Sequence, residues 1–143
     1  MKRLIFRQSI FICVLALIPT LAATVLHPKR PSWDAEALKE GEVLLEMILN
    51  WKQPVLWVDA RSAKEYQRAH IPGAMLLNED DWDDLLNPIL DAWNSPRPVV
   101  VYCDDRQCQA SHQVAGRLRE SGVEPVYVLK GGWETWRKQR SQR

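Results

Sequence analysis

The chain has 143 residues and a formal net charge of +1, but its charge is unevenly distributed. Five of the 19 Lys and Arg residues lie in residues 1–30, so residues 31–143 carry 14 basic and 18 acidic side chains, a net charge of −4. This balance does not indicate a nucleic-acid-binding protein. The three cysteines form neither a disulfide framework nor the spacing of a zinc site, and we expect no metal and no cofactor.

The amino-terminal residues have the pattern of a segment that enters a membrane. Lys2, Arg3 and Arg7 precede an uncharged stretch, residues 8–26, which is long enough to span a bilayer. We interpret it as an uncleaved signal anchor, with a secretory signal peptide as the alternative. Because basic residues flank its amino-terminal side, the following domain is expected to face the periplasm or the cell exterior, membrane-anchored or secreted after cleavage.

Residues 27–31 contain two prolines and form a stiff linker. We therefore divide the chain into residues 1–30, the signal anchor or signal peptide with its short linker, and residues 31–143, one small domain.

The first half of this domain contains two predicted helices and a buried strand. Apolar residues recur at helical spacing within residues 34–51 and predict a helix there, with a first short strand near residues 33–38. A buried strand over residues 55–58 ends at Asp59. Ser62 with Glu65 three positions later forms a capping box for the next helix.

The second half repeats the order of strand and helix. An apolar stripe from Trp82 to Trp93 predicts a helix in which Pro88 introduces a kink or a restart. Strands follow over residues 99–102 and 126–129, each leading into a helix, and Gly122 ends the first of these helices. Four strand-then-helix units predict an α/β fold with a central parallel sheet and helices on both faces.

Cys103 is the strongest candidate for a functional residue. It follows a buried strand, and ligands of parallel sheets gather at the carboxyl ends of the strands. The helix that follows is expected to direct its free N–H groups and its positive dipole end toward the sulfur, which favours the reactive thiolate.

Three stretches together resemble the rhodanese (thiosulfate sulfurtransferase) family. They are residues 58–74, with Val-Asp-Ala-Arg and His-Ile-Pro-Gly-Ala, the Tyr102–Cys103 loop, and residues 128–136, with Lys-Gly-Gly-Trp. The resemblance covers most of the chain from about residue 35 to residue 137 and implies a rhodanese-like fold. It also implies transfer of sulfane sulfur, through a persulfide on Cys103, from a small donor to a thiol or cyanide.

The resemblance also assigns supporting roles. Asp59 and Arg61 are expected to form a structural ion pair under the active loop, and Trp133 to support that loop from the start of the last helix. His70, in its Ile-Pro-Gly context, is expected to bond to the backbone around a turn rather than to act as a base.

The active loop departs from the family pattern. Active members read Cys-x-x-Gly-x-Arg-Ser, whereas the positions of the glycine, the arginine and the serine here hold Arg106, Cys108 and Gln109. Loss of that arginine removes a planar guanidinium suited to binding an oxyanion. The carboxylates of Asp104 and Asp105 oppose ionisation of the Cys103 thiol. We therefore expect a donor other than thiosulfate. The candidate loop residues besides the cysteines are Asp104, Asp105, Arg106, Gln107 and Gln109.

Two further interpretations remain open. Cys108 is a candidate resolving thiol that attacks a persulfide on Cys103, which would give a redox or persulfide-reductase cycle served by an unidentified redox partner. The domain is alternatively a catalytically inactive rhodanese module used for docking or sensing.

Overall fold

The computed structural model describes residues 38–94, 96–104 and 109–142. The described strands are β1 (Glu42–Val43), β2 (Leu56–Asp59), β3 (Met75–Leu76), β4 (Val99–Tyr102) and β5 (Val126–Leu129). The described helices are α1 (Leu45–Leu49), α2 (Ala63–Arg68), α3 (Trp82–Ala92), α4 (Ala110–Glu120) and α5 (Gly132–Ser141). The predictions for the membrane segment, the linker and the beginning of the domain fall on residues 1–37, outside the described residues.

The five strands form one parallel sheet in the order β1-β5-β4-β2-β3. Strand β4 lies at the centre, between β5 and β2, and all four of its residues are fully buried. A strand covered on both faces must be apolar throughout, which explains the Val-Val-Val-Tyr sequence. The prediction of a parallel sheet is confirmed.

Each face of the sheet carries its own apolar core. On one face α3 and α4 pack against the sheet through Trp82, Ile89, Val114 and Leu118. On the other face α1 contributes Leu45 and Ile48, and α5 adds Trp133 and Trp136. Helices therefore cover both faces, as the alternation of strands and helices predicted.

The prediction of a helix through residues 34–51 is wrong for its central part. Glu42–Val43 forms the edge strand β1, which pairs with β5, and the helix that follows contains only five residues. The Val43 carbonyl accepts an N–H from Lys130 at 2.9 Å, a long-range contact that overrides the helical spacing. Leu44, one of the apolar residues at helical spacing within that range, is 41% exposed.

Two smaller differences concern β3 and Pro88. Strand β3, two residues long, has no periodicity of its own and was not predicted. Pro88 lies inside α3, which runs from Trp82 to Ala92 without a restart.

Among the described residues, no helix is long and apolar enough to span a membrane.

Candidate functional site

Cys103 directly follows the central strand β4, at the carboxyl edge of the sheet, and is only 5% exposed. Its sulfur is engaged in a disulfide bond. The other cysteines of the chain, Cys13 and Cys108, lie outside the described residues. The predicted loop residues at positions 105–107 also lie outside them, so only the residues on either side of the loop are described.

On the far flank, Gln109 is exposed and immediately precedes α4. Its carbonyl oxygen accepts the N–H groups of His112 and Gln113 at 3.0 and 3.1 Å, which begins the helix. The structure therefore places Gln109 at the start of α4 as a backbone acceptor. This position agrees with the expectation that a helix begins just after the loop.

The start of α5 holds the backbone on the near flank of the loop. The N–H of Trp133 donates to the Cys103 carbonyl at 2.7 Å, and the N–H of Glu134 donates to the Asp104 carbonyl at 3.0 Å. These donors belong to the first turn of a helix, where they have no partner within the helix itself. The two bonds fix the position at which the chain leaves β4.

Gly132 makes this close approach feasible. Its φ is +49°, and a Cβ atom there would overlap the Cys103 carbonyl oxygen and lie 2.8 Å from the Cys103 carbonyl carbon. Only glycine adopts this φ at little cost and also avoids the overlap without displacing backbone. The Gly-Gly turn before α5 therefore brings backbone close to Cys103.

Asp59 and Arg61 form the predicted ion pair. Asp59 is fully buried and Arg61 is 5% exposed. Arg61 Nε lies 2.9 Å from Asp59 Oδ1, and Nη2 lies 2.7 Å from Oδ2, which is a bidentate arrangement. Burial alone would lower the pKa of Arg61, but the hydrogen bonds and charge of Asp59 outweigh it and raise that pKa, so the guanidinium stays protonated.

Tyr102 completes this buried network and was missed by sequence reasoning. Its hydroxyl donates to Asp59 Oδ2 at 2.6 Å and accepts the N–H of Ile71 at 3.1 Å. Burial, reinforced by the Asp59 carboxylate, raises the pKa of Tyr102, which keeps the phenol neutral and able to donate. The available signal was a single hydroxyl in an otherwise apolar central strand.

Arg61 is also packed between aromatic rings. Its guanidinium lies 4.9 Å from the centre of the Trp133 ring and 5.7 Å from that of Tyr102. Its Nη2 additionally donates to the Ala69 carbonyl at 2.7 Å. Arg61 therefore joins the end of β2 to the start of α5.

Asp104, the residue after Cys103, lies on the wall of a cleft of about 350 Å³. Its carboxylate is 3.4 Å from Arg61 Nη1, and its side chain is 46% exposed. Burial raises the pKa of Asp104, and the negative charge of Glu65 raises it further, while Arg61 opposes both effects. The remaining charged residues that line the cleft are Glu65, Arg68, Glu134 and Arg137.

Glu65 has two roles, of which the sequence indicated one. It forms the predicted capping box with Ser62 at the start of α2. The same carboxyl also faces the cleft and interacts with Asp104. The hydrogen bond from Ser62 lowers the pKa of Glu65, so the pKa values of Glu65 and Asp104 are shifted in opposite directions.

His70 has the structural role expected of it. Its Nδ1 lies 2.8 Å from the carbonyl oxygen of Tyr66, and the two rings stack with their centres 4.0 Å apart. The Tyr66 hydroxyl in turn donates to the Ala74 carbonyl at 2.8 Å. These contacts close the turn that follows α2.

Comparison with known proteins agrees with this geometry. A model of the rhodanese-like domain matches residues 41–139. Thiosulfate sulfurtransferase GlpE of Coxiella burnetii is 33% identical over 86 residues, which cover 60% of this chain and 75% of that protein. A rhodanese-like domain from Anabaena is 26% identical, with a TM-score of 0.56 over 70% of this chain and 75% of that one. A rhodanese-like domain protein from Staphylococcus aureus is also 26% identical, with a TM-score of 0.51 over 66% of this chain and 89% of that one. With its parallel sheet, its site cysteine after the central strand and this match over most of its length, the chain belongs to the rhodanese-like domain family.

Proposed function

We propose that this protein is a sulfurtransferase that carries sulfane sulfur as a persulfide on Cys103. The observation that supports this most is the position of Cys103, immediately after β4, with its carbonyl held by Trp133 and a polar cleft alongside. The similarity to a thiosulfate sulfurtransferase supports the same class of reaction.

The reaction proceeds in two balanced steps. The Cys103 thiolate attacks the outer sulfur of the donor, an S–S bond forms to Cys103, and the donor leaves with the electron pair of the broken bond. In the second step a thiol or cyanide attacks the terminal sulfur of the persulfide. The Cys103 thiolate then leaves as it was at the start, which is covalent catalysis without net oxidation of the enzyme.

The cleft favours an organic donor over thiosulfate. Its charged lining consists of three carboxyls and three guanidinium groups, so both signs of charge face the incoming molecule. A dianion such as thiosulfate gains no net attraction from this balanced lining, whereas the persulfide of a small zwitterionic thiol can pair with both signs of charge. We therefore propose an organic persulfide as the donor.

Transfer to cyanide tests this proposal. The reduced full-length chain is supplied with either thiosulfate or an organic persulfide, and thiocyanate is measured over time. We expect turnover with the persulfide, weaker turnover with thiosulfate, and none above background in Cys103→Ser, while Cys13→Ser matches wild type. Absence of turnover with both donors would contradict the proposal and favour a catalytically inactive docking or sensing module.

A second function, in redox chemistry, is favoured by the disulfide at Cys103. We propose Cys108 as the partner in that bond because it lies five residues away, whereas Cys13 lies in the proposed membrane segment, residues 8–26. In this cycle the Cys108 thiolate attacks the Cys103 sulfur of the persulfide. Sulfide leaves with the bonding pair, and the disulfide that remains is reduced to two thiols by a dithiol redox partner.

The two functions differ in what Cys108 does. Peptide mapping of the oxidised chain is expected to find Cys103 joined to Cys108, and Cys108→Ser is expected to retain its persulfide longer and release less sulfide. A link from Cys103 to Cys13, or equal sulfide release by Cys108→Ser and wild type, would remove this second function.

We also propose that residues 8–26 anchor the protein in a membrane, with the domain in the periplasm or outside the cell. The uncharged length and the preceding basic residues support this. Full-length protein is expected in the membrane fraction, with its domain open to protease added outside the membrane. Protein that is shortened near residue 23 and found in the soluble fraction would show a cleaved signal, and protein in the cytoplasm would contradict the proposal.

A further inference from the structure

The described part of the chain exposes its large apolar side chains in one short segment. Leu38, Leu44, Met47 and Leu49 are 43%, 41%, 43% and 50% exposed. All four lie within twelve residues, around β1 and α1. We call them the apolar patch, because exposed apolar side chains clustered in this way mark an interaction surface more often than isolated ones do.

A cleft extends the apolar patch toward the end of α5. It has a volume of about 490 Å³, and its walls are formed by Leu45 and Leu49 of α1 and by Trp136, Gln139 and Arg140 of α5. The Arg140 guanidinium lies 5.1 Å from the centre of the Trp136 ring. Lys138 is exposed in the same last turn of the helix. Apolar side chains, a tryptophan and cations thus occur together, the combination found in proteins that lie on membrane interfaces.

Acidic side chains near the apolar patch limit where the protein can attract an anionic lipid surface. Glu46 is exposed on α1, and Glu40 is exposed just before β1. They lie on the α1 side of the patch, so charge favours an anionic surface only at the end of α5, where Lys138 and Arg140 outnumber Glu134, the partner of Lys138. The apolar side chains supply the contact and the end of α5 supplies the attraction to anionic head groups.

The length of chain before Leu38 keeps this surface near any membrane that holds residues 8–26. Eleven residues, 27–37, lie between that stretch and Leu38. Fully extended, they reach roughly 36–40 Å at about 3.3–3.6 Å per residue. A tethered surface experiences a high effective concentration of lipid, so a weak contact is sufficient to hold it.

We propose that the apolar patch and the last turn of α5 rest on an anionic lipid surface. Since α5 has ten residues and rises about 1.5 Å per residue, the start of this helix, which holds the Cys103 carbonyl, lies roughly 15 Å along it from the lipid contact. The membrane then sets the direction from which a donor reaches the cleft. The proposal is independent of the chemistry at Cys103 and rests on the proposed membrane anchor at residues 8–26.

The test uses the full-length chain reconstituted in vesicles of phosphatidylcholine and phosphatidylglycerol. A ketone-bearing amino acid at position 47 is coupled to a nitroxide, and position 87 serves as the matched control. Asn87 is exposed on α3, which packs on the opposite face of the sheet. Collision rates of each nitroxide are measured with oxygen, which concentrates in lipid, and with a water-soluble nickel complex.

We expect the label at position 47 to collide severalfold more with oxygen than with nickel, and the label at 87 to show the reverse. Replacing Lys138 and Arg140 by Gln should reduce the difference in anionic vesicles and leave it unchanged in pure phosphatidylcholine. Equal nickel access at both positions, in protein that floats with the vesicles, would overturn this proposal alone. Failure of the protein to float would overturn the membrane anchor and this proposal with it. Dipolar broadening between labels at position 47 in lipid-free micelles would overturn it in favour of a second copy of the chain.

Discussion

Replacing Gly132 by Ala tests whether the close approach of α5 positions Cys103. The residue has a φ of +49°, and the left-handed conformation costs about 1–2 kcal/mol for a residue with a Cβ atom. The added carbon would overlap the Cys103 carbonyl oxygen, and it would lie 2.8 Å from the carbonyl carbon of Cys103 and 3.1 Å from that of Asp104. Backbone must therefore move, which costs about 1–3 kcal/mol by analogy with overpacking. The expected loss in free energy of unfolding is roughly 2–5 kcal/mol.

Gly122→Ala is the matched control. Its φ is +84°, but an added Cβ would meet no atom within 4 Å, so this variant carries only the conformational cost of about 1–2 kcal/mol. Urea denaturation of the reduced proteins measures both losses, and the alkylation rate of Cys103 reports displacement of the loop. Gly132→Ala should lose more free energy than Gly122→Ala and should alone change the alkylation rate. Equal losses with unchanged alkylation would refute the argument.

Three further predictions concern the ion pair, helix α4 and the cleft. Arg61→Ala leaves the Asp59 charge buried without its partner and should lower the free energy of unfolding by about 3–5 kcal/mol. The control Lys138→Ala removes an exposed ion pair and should cost at most about 1 kcal/mol. Similar losses for the two variants in urea denaturation would contradict this. Gly116→Ala places a Cβ in open space inside α4 and should raise the free energy of unfolding by about 0.5–1 kcal/mol; a decrease in the urea midpoint would contradict it. Asp104→Asn removes a negative charge beside Cys103 and should speed alkylation of the reduced thiol by roughly two- to tenfold at neutral pH. That gain should shrink as the pH falls, since burial raises the pKa of Asp104 and the wild-type carboxyl therefore takes up its proton at a higher pH than an exposed aspartate does; a constant ratio across pH would contradict it.

The elements that the sequence predicted correctly are those with short-range signals. Strand β4 reads as four consecutive apolar residues, and α2 starts at the capping box of Ser62 and Glu65. Strand β5 has a similar apolar run, and Gly122 provides the stop signal of α4. These signals depend on residues only a few positions apart, so one sequence is enough to read them.

The elements that it missed depend on long-range pairing. Strands β1 and β3 have two residues each and exist because they pair with β5 and β2. The apolar residues around β1 occur at helical spacing, and only pairing with Leu129 shows that Val43 belongs to the sheet. Two residues are too few for an alternating pattern to emerge.

The residues of the candidate site likewise divide into those that the sequence indicated and those that it did not. The resemblance to the family indicated Cys103 and the pairing of Asp59 with Arg61, and the structure brings the last two together. It did not indicate that Tyr102 joins their network or that Arg68 and Glu65 face the cleft beside Asp104. These relations depend on how α2 and α5 pack against the sheet, and no local pattern encodes that packing.

The most direct test of the central claim is the mass of the reduced protein after exposure to an organic persulfide. Intact-mass measurement followed by peptide mapping is predicted to show one added sulfur atom, located on Cys103, and its loss when cyanide is added. Cys103→Ser should gain nothing, and Cys13→Ser should gain the sulfur as wild type does. Sulfur retained by Cys103→Ser, or mapped to Cys108 in the wild-type chain, would contradict the claim that Cys103 carries it.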